Sequence, residues 1–270
     1  MNRLREDFHR EFMTFFERAE RTRRWNIFND VPWERLEESP RDERLALCAE
    51  TFCGVEMYLP DYLRAHLELM RGDYGRAWFA ANWGYEEAKH SLALREYLHR
   101  SQQRTEGQLH DFAESVLARQ WIPPYDDGRQ MTVYGSLQER TTFVVYRKQR
   151  ELAQKLGDSV LAEIYRFISR DEMAHSRFYE RMLLLHLDED REGTLADIAH
   201  VLRTFRMPAA DLLSGYDERI AVMRTAGIDR RVFLLEVIGP MLRALGLTRH
   251  DLPGPGRERG LWSPKKDVSP

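Results

Sequence analysis

The chain has 270 residues, 43% of them apolar and 31% charged, enough to bury the core of one sizeable domain and too apolar for a disordered chain. Its 41 basic and 44 acidic residues give a formal net charge of −3 and are spread along the sequence, which excludes any global electrostatic attraction to nucleic acid or to acidic membranes. Cys48 and Cys53, five positions apart on a predicted helix, suit neither a disulfide framework nor a thiolate metal site. With no apolar signal core at Met-Asn-Arg-Leu-Arg-Glu-Asp and no apolar run of about 18 residues, the expectation is a cytoplasmic protein without a membrane span.

Long amphipathic patterns rich in Leu, Ala, Glu and Arg alternate with short breaks, and persuasive strand alternation is missing, so the sequence predicts an all-α chain. A first helix is expected over about 3–22, with Phe8, Phe12, Phe15 and Phe16 on one face, followed by an irregular stretch over 25–40 that holds two prolines. Helices then follow over about 42–71, 74–102 and 106–121. The sharpest break is Pro123-Pro124-Tyr125-Asp126-Asp127-Gly128, which divides the chain into two halves. Beyond it come helices over about 130–156 and 158–187, separated by Gly157-Asp158 with Asp158 as N-cap, and shorter ones over 192–205, 208–226 and 229–246. One domain is expected over 1–252, and the tail over 253–270, heavy in Pro, Gly and charge, is expected to be disordered.

The two halves repeat one arrangement. Glu56 precedes Glu87-Ala-Lys-His90 by 31 residues, Glu139 precedes Glu172-Met-Ala-His175 by 33, and the halves are offset by 83 to 85 positions. Two helices each giving one Glu, and two others each giving Glu and His at i, i+3, are the ligand set of a di-iron site in a four-helix bundle. The fold expected is therefore a ferritin-like four-helix bundle with additional flanking helices. A lone Glu-x-x-His is weak, because Glu6-Asp-Phe-His9 and Glu96-Tyr-Leu-His99 match it too. Nine positions turn Glu96 and His99 half a circle away from Glu87 and His90, onto a face shared with Lys89, Arg95 and Gln103, so only the first pair is expected to point inward.

Neighbours separate buried carboxylates from solvated ones. Glu56 shares its face with Phe52, Cys53, Leu59 and Leu63; Glu87 with Ala80, Trp83, Gly84 and Leu94; Glu139 with Gly135, Ser136, Thr142 and Phe143; Glu172 with Tyr165, Ile168, Ser176 and Tyr179. An ionised Glu there costs several kcal/mol unless something pairs with it, and with Lys and Arg missing from these faces a metal is the natural partner. Four carboxylates balance two divalent cations, and the oxygen-rich, nitrogen-poor donor set suits iron, or manganese, better than structural zinc. Glu50 is a rival to Glu56 on the same helix.

At these residues the sequence resembles the soluble acyl-(acyl-carrier-protein) desaturases. The matching stretches are Val55-Glu-Met-Tyr-Leu-Pro-Asp-Tyr62, Tyr85-Glu-Glu-Ala-Lys-His90, Gly135-Ser-Leu-Gln-Glu-Arg-Thr-Thr-Phe143 and Arg170-Asp-Glu-Met-Ala-His175, within a resemblance covering about 25–225. Leu59-Pro60 anchors the alignment that selects Glu56 over Glu50. The resemblance implies Glu56, Glu87, His90, Glu139, Glu172 and His175 as iron ligands, with Glu87 and Glu172 placed to bridge or chelate. It implies Thr142 as a catalytic hydroxyl beside the oxygen-binding face, and an electron route through Trp25, Asp171 and His90. It also implies a homodimer. The chain is much shorter than the plant enzymes and is trimmed at its carboxyl-terminal region, so carrier-recognition features of those enzymes do not carry over.

An unactivated methylene C–H bond is too strong for acid, base or nucleophile, so dioxygen and two electrons must furnish the oxidant, and the protein must hold the acyl chain in a dry, apolar slot. Trp78, Phe79, Trp83, Met131, Tyr134 and Phe143 lie on the appropriate helices for that slot. The expected partners are an acyl carrier protein, or acyl-coenzyme A, and a ferredoxin-type electron donor, since no flavin or nicotinamide fingerprint occurs. Arg140, Arg147, Lys148, Arg150 and Lys155 form a local basic segment that could meet an acidic carrier. Two other readings remain open from the residues: a di-iron hydroxylase or N-oxygenase acting on a carrier-bound or small metabolite, favoured by a polar slot, and a ferritin-like iron-handling protein.

Overall fold

The computed structural model describes residues 3–207 and 212–254, and every regular element among them is helical. The chain opens with α1 (Arg3–Arg18), which ends in a π turn, Ala19–Arg23. A 3-10 segment, Trp33–Glu38, leads into α2 (Glu43–Glu56), α3 (Leu59–Met70), α4 (Tyr74–Arg100) and α5 (Glu106–Leu117). The second half begins with α6 (Gly128–Leu156) and α7 (Ser159–Glu189), and α8 (Arg191–Thr204) follows. Shorter pieces cover Tyr216–Arg224 and the run from Arg230–Val232 through a π segment, Phe233–Ile238, to Gly239–Ala244. Most of the expected tail lies outside the described residues.

Short aspartates start the long helices, because a carboxylate accepting the first free amides offsets their missing partners. Asp42, Asp73, Asp127, Asp158 and Asp190 each accept from a backbone N–H in the first turn of the helix they precede. The α6–α7 hairpin is the tightest junction. Gly157 takes φ +88°, a left-handed conformation that closes α6, and Asp158 at once caps α7 while accepting from the Tyr97 hydroxyl at 2.6 Å.

Two antiparallel pairs, α2 with α4 and α6 with α7, form the bundle, and α1 lies across α4 and α7. The helix expected over 42–71 is two helices. Pro60 sits in the first turn of α3, where its missing N–H costs nothing, and the chain turns at Met57–Tyr58 so that Glu56 becomes the last residue of α2. Close approach of α6 and α7 depends on Gly135: a Cβ there would meet the Tyr179 ring at 2.7 Å.

Candidate metal centre

Glu56 ends α2, Glu87 and His90 sit mid-way along α4, Glu139 lies on α6, and Glu172 and His175 lie on α7. All six are buried, both histidines completely. Their donor atoms gather into two groups, Glu56, Glu87, His90 and Glu172 in one and Glu87, Glu139, Glu172 and His175 in the other, with all donor atoms of a group within 4.8 Å of one another. Glu87 and Glu172 belong to both groups, the position required of carboxylates that bridge two ions. The His90 and His175 ring centroids are 6.3 Å apart.

Both histidines turn the same nitrogen inward. His90 Nδ1 lies 3.0 Å from Glu87 Oε2 and 3.3 Å from Glu172 Oε1, and His175 Nδ1 lies 3.1 Å from Glu87 Oε1 and 3.2 Å from Glu139 Oε2. Glu87 Oε1 and Glu172 Oε1 are buried and make no hydrogen bond, which leaves both oxygens free to coordinate a cation. These atoms fit a pair of hard or borderline divalent cations.

The outward nitrogens are held crosswise. His90 Nε2 sits 3.3 Å from Asp171 Oδ2, on α7, while His175 Nε2 sits 2.6 Å from Glu86 Oε2, on α4. Each of these carboxylates immediately precedes the ligand Glu of its own half and serves the histidine of the other. An acceptor on the outer nitrogen fixes the tautomer and makes the inner nitrogen a better donor. Trp25 Nε1 donates to Asp171 Oδ2 at 2.7 Å, so Trp25, Asp171 and His90 form a continuous hydrogen-bonded line.

Arg23 joins the two outer carboxylates. From the π turn that ends α1, its Nη1 donates to Asp171 Oδ1 at 2.6 Å and to Glu86 Oε2 at 3.0 Å, with Nη2 3.0 Å from Glu86 Oε1. Arg24 reaches Glu86 as well. Burial opposes ionisation of Asp171 and Glu86, yet the histidine each one binds, together with Arg23, holds both carboxyls below their ordinary range. Arg23→Ala should therefore leave Asp171 without its arginine and Glu86 with Arg24 alone, and weaken metal binding by about 10-fold, the lower end of what losing a partner of a ligand costs. Anaerobic titration with ferrous ions, followed by elemental analysis, measures this; unchanged uptake would show that Arg23 serves packing alone.

Other expected residues separate cleanly. Glu50 accepts from Arg104 Nε at 2.6 Å and Arg219 Nη2 at 2.7 Å, so the rival to Glu56 is bound to two guanidinium groups and lies outside both donor groups. Glu96 pairs with Arg100 and His99 is exposed, as their helix face predicts. Lys89 departs from that face: it is buried, with Nζ 4.4 Å from the Trp25 ring centroid, because the segment after the π turn covers this part of α4. Trp78 is also misplaced by the slot reading, since it is exposed beside Phe12 and Tyr74.

The Thr142 hydroxyl donates to Glu172 Oε2 at 2.8 Å, with the carbonyls of Gln138 and Glu139 within reach as alternatives. In the basic segment, Arg140 is paired with Glu180, and Arg147 and Lys148 with Glu236. Arg150 and Lys155 make no ion pair among the described residues. Arg23, Glu86 and Tyr146, whose hydroxyl donates to Glu56 Oε1 at 2.9 Å, are absent from the sequence reading. The repeated acidic residue before each Glu-x-x-His was the available signal for Glu86.

Comparison with known proteins agrees with this centre. Residues 33–241 match the family model described as fatty acid desaturase. Stearoyl-(acyl-carrier-protein) 9-desaturase 5, chloroplastic, of Arabidopsis thaliana is 27% identical over 197 residues, 69% of this chain and 49% of its own length. Its counterpart numbered 6 from the same plant is 32% identical over 137 residues, 50% of this chain and 35% of its own length. The chain thus spans about half the length, or less, of these relatives. The X-ray structure of DesA2 from Mycobacterium tuberculosis H37Rv superposes with a TM-score of 0.63 at 20% identity, covering 93% of this chain and 99% of that one, a likeness of fold.

Proposed function

Because the chain belongs to the fatty acid desaturase family, we propose that it removes two hydrogens from a carrier-bound acyl chain, with dioxygen as oxidant and two electrons from an external donor. The observation that carries this is the pair of donor groups sharing Glu87 and Glu172. Two ferrous ions held there by Glu56, Glu87, His90, Glu139, Glu172 and His175 would supply the reactivity toward dioxygen that side chains lack; manganese is the alternative ion. Thr142 would hold one oxygen of Glu172 in place on the side where dioxygen arrives, and the Trp25, Asp171, His90 line would admit electrons.

Buried aromatic rings beside the centre, Phe79 stacked on Phe178 at 3.8 Å, support an acyl substrate. A small cavity lined by apolar Met70, Phe79, Ala80, Phe178 and Met182 together with His66, Arg76, Thr132 and Tyr179 lies on the Phe79 side of His175, whose ring is 6.2 Å from that of Phe79. The acyl group would arrive on an acidic carrier protein, or on coenzyme A, and Arg150 and Lys155 are the basic-segment residues left without an ion pair to meet it. A ferredoxin-type protein would be the donor. The test supplies ferrous ions, ferredoxin, its reductase and a panel of acyl carriers, and weighs the products. Loss of two hydrogens is expected. Gain of one oxygen would make the protein a hydroxylase, and rapid ferrous oxidation with no organic product would make it an iron-handling protein.

Homodimerisation, implied by the sequence resemblance, has a face in α4. Trp78, Tyr85 and Leu92 are exposed and spaced by seven, and we propose this stripe as the face where a second copy would pack. Among the described residues no helix is long and apolar enough to cross a membrane. Light scattering should give a dimer for the wild-type chain and a monomer for Leu92→Glu; a wild-type monomer at micromolar concentration would remove the proposal.

A further inference from the structure

The short helical pieces that follow α8 carry a basic and apolar patch that the metal centre does not use. Leu234 and Leu235 stand side by side and exposed on the π segment Phe233–Ile238. One surface hollow is lined by Asp229, Arg230, Arg231 and both leucines, and a second continues from Leu234 to Ile220, Arg224 and Ile228. Between Arg224 and Ile238 the two acidic residues are already committed. Asp229 Oδ1 accepts from the Val232 amide at 2.8 Å, and Glu236 is paired with Arg147 and Lys148 of α6. Arg224 and Arg231 are exposed and make no ion pair among the described residues.

Folding alone does not call for this composition. Two adjacent leucines left in water add nothing to the core, arginine is enriched at protein interfaces, and π segments recur at functional positions. The patch also stands where a tethered substrate would arrive. In chain order α6 bears Thr132 of the small cavity, the ligand Glu139 and the patch-bound Arg147, about 10 Å and then about 12 Å apart at 1.5 Å per residue. Thr142 and Phe143 lie between the ligand and the patch, and the Phe143 ring centroid is 5.8 Å from the Arg147 guanidinium. The electron line opens elsewhere. Trp25 is bonded to Asp171 of α7 with Lys89 of α4 over its ring, whereas the π segment packs on α6, so the two surfaces can serve two different partners.

Resting on the desaturase reading, we propose that Arg224, Arg231, Leu234 and Leu235 form the docking surface for the acidic acyl carrier protein. Carboxylates of the carrier meet the two guanidinium groups, and an apolar side chain beside them covers the leucines. The charges steer the encounter, and the leucines hold the complex once it has formed. From this seat the acyl arm enters past Phe143 and Thr142, and the far end of the chain points along α6 toward the small cavity, so that a methylene between the two ends meets the metal level.

The test titrates the full chain into fluorescently labelled acyl carrier protein and reads anisotropy. The wild-type chain should bind, less tightly as salt is raised. Arg231→Glu and Leu235→Glu should each weaken binding by about 10-fold or more, the effect of losing a central interface side chain. Arg71→Glu, at the exposed end of α3, changes the net charge as much as Arg231→Glu and should bind as the wild type does. In turnover, the two patch variants should raise KM for the carrier-bound substrate and leave kcat unchanged. Arg231→Gln and Leu235→Ser keep the test open if a glutamate fails to fold. Carrier binding that is unchanged in folded patch variants, a loss of ferredoxin binding in its place, or a change of oligomeric state by light scattering would overturn the proposal and leave the desaturase reading standing. A wild-type chain that binds no carrier but removes two hydrogens from acyl-coenzyme A would do the same, and one that oxidises neither substrate would overturn both.

Discussion

Glu56→Gln is expected to abolish acyl oxidation and, in the same protein, to make the metal-free fold more stable. The carboxylate lies wholly inside the bundle, and burial first, then the charges of Glu87 and Glu172, push its acid dissociation well above the ordinary glutamate range. Without metal, ionising it opposes folding, because a folded-state pKa raised above the unfolded value withdraws stability as pH rises through it. Glutamine keeps the shape and still accepts the Tyr146 hydrogen bond, but carries no charge to desolvate. With metal the sign reverses, since one group of donors loses an anionic ligand. Iron content should fall from two ions to about one or fewer, and product formation by at least about 100-fold, the upper end of what losing even an outer-sphere partner costs. Glu50→Gln is the contrasting case. It should keep both ions yet destabilise the fold by up to about 3 kcal/mol, because the buried Arg219 loses its counter-ion while Arg104 keeps Glu43. Thermal melts with and without iron, read beside metal analysis, separate the two variants; if Glu50→Gln loses the metal and Glu56→Gln does not, the ligand assignment is wrong.

The contrast also shows what the sequence could convey. Glu87 with His90, and Glu172 with His175, were readable because i, i+3 spacing and helix-face neighbours are local properties, which an all-α fold preserves. Choosing Glu56 over Glu50 rested on the resemblance anchored at Leu59-Pro60; the physical reason, Arg219, is 169 residues from Glu50 and joins it only in the folded chain. Arg23 was invisible for the same reason: its partners Glu86 and Asp171 are 63 and 148 positions away. A helical wheel placed Lys89 in water because it cannot know that Trp25 covers that face. The break after Glu56, by contrast, was written in Pro60, and reading 42–71 as one helix gave amphipathic periodicity precedence over a proline that starts a new element.

Loading the centre with divalent metal should release protons, and its affinity should rise steeply with pH. Glu56 and Glu139 are pushed upward by burial, followed by the neighbouring carboxylates. His90 and His175 are pushed downward by burial but more strongly upward by the carboxylates around them, and end well above the ordinary imidazole range. All four groups therefore keep a proton to higher pH than they would in the unfolded chain. Glu87 is the exception. Burial would raise it, yet contact with the two imidazoles brings it down to about 2, so it stays ionised and forms the anionic pivot of the metal-free site. Protons on the four raised groups thus stand in for the missing cations. The stability they confer is present at acid pH and disappears as pH climbs through their folded-state values, whereas the metal-bound fold has no such protons to lose. The melting-temperature gap between loaded and metal-free protein should consequently widen from mildly acid to mildly alkaline pH. Calorimetric titrations in buffers of different ionisation enthalpy should register the protons displaced. A gap that stays constant with pH, or binding heats that ignore the buffer, would mean that Glu56, Glu139, His90 and His175 are not the groups the metal meets, because a metal bound there must displace the protons these four groups hold.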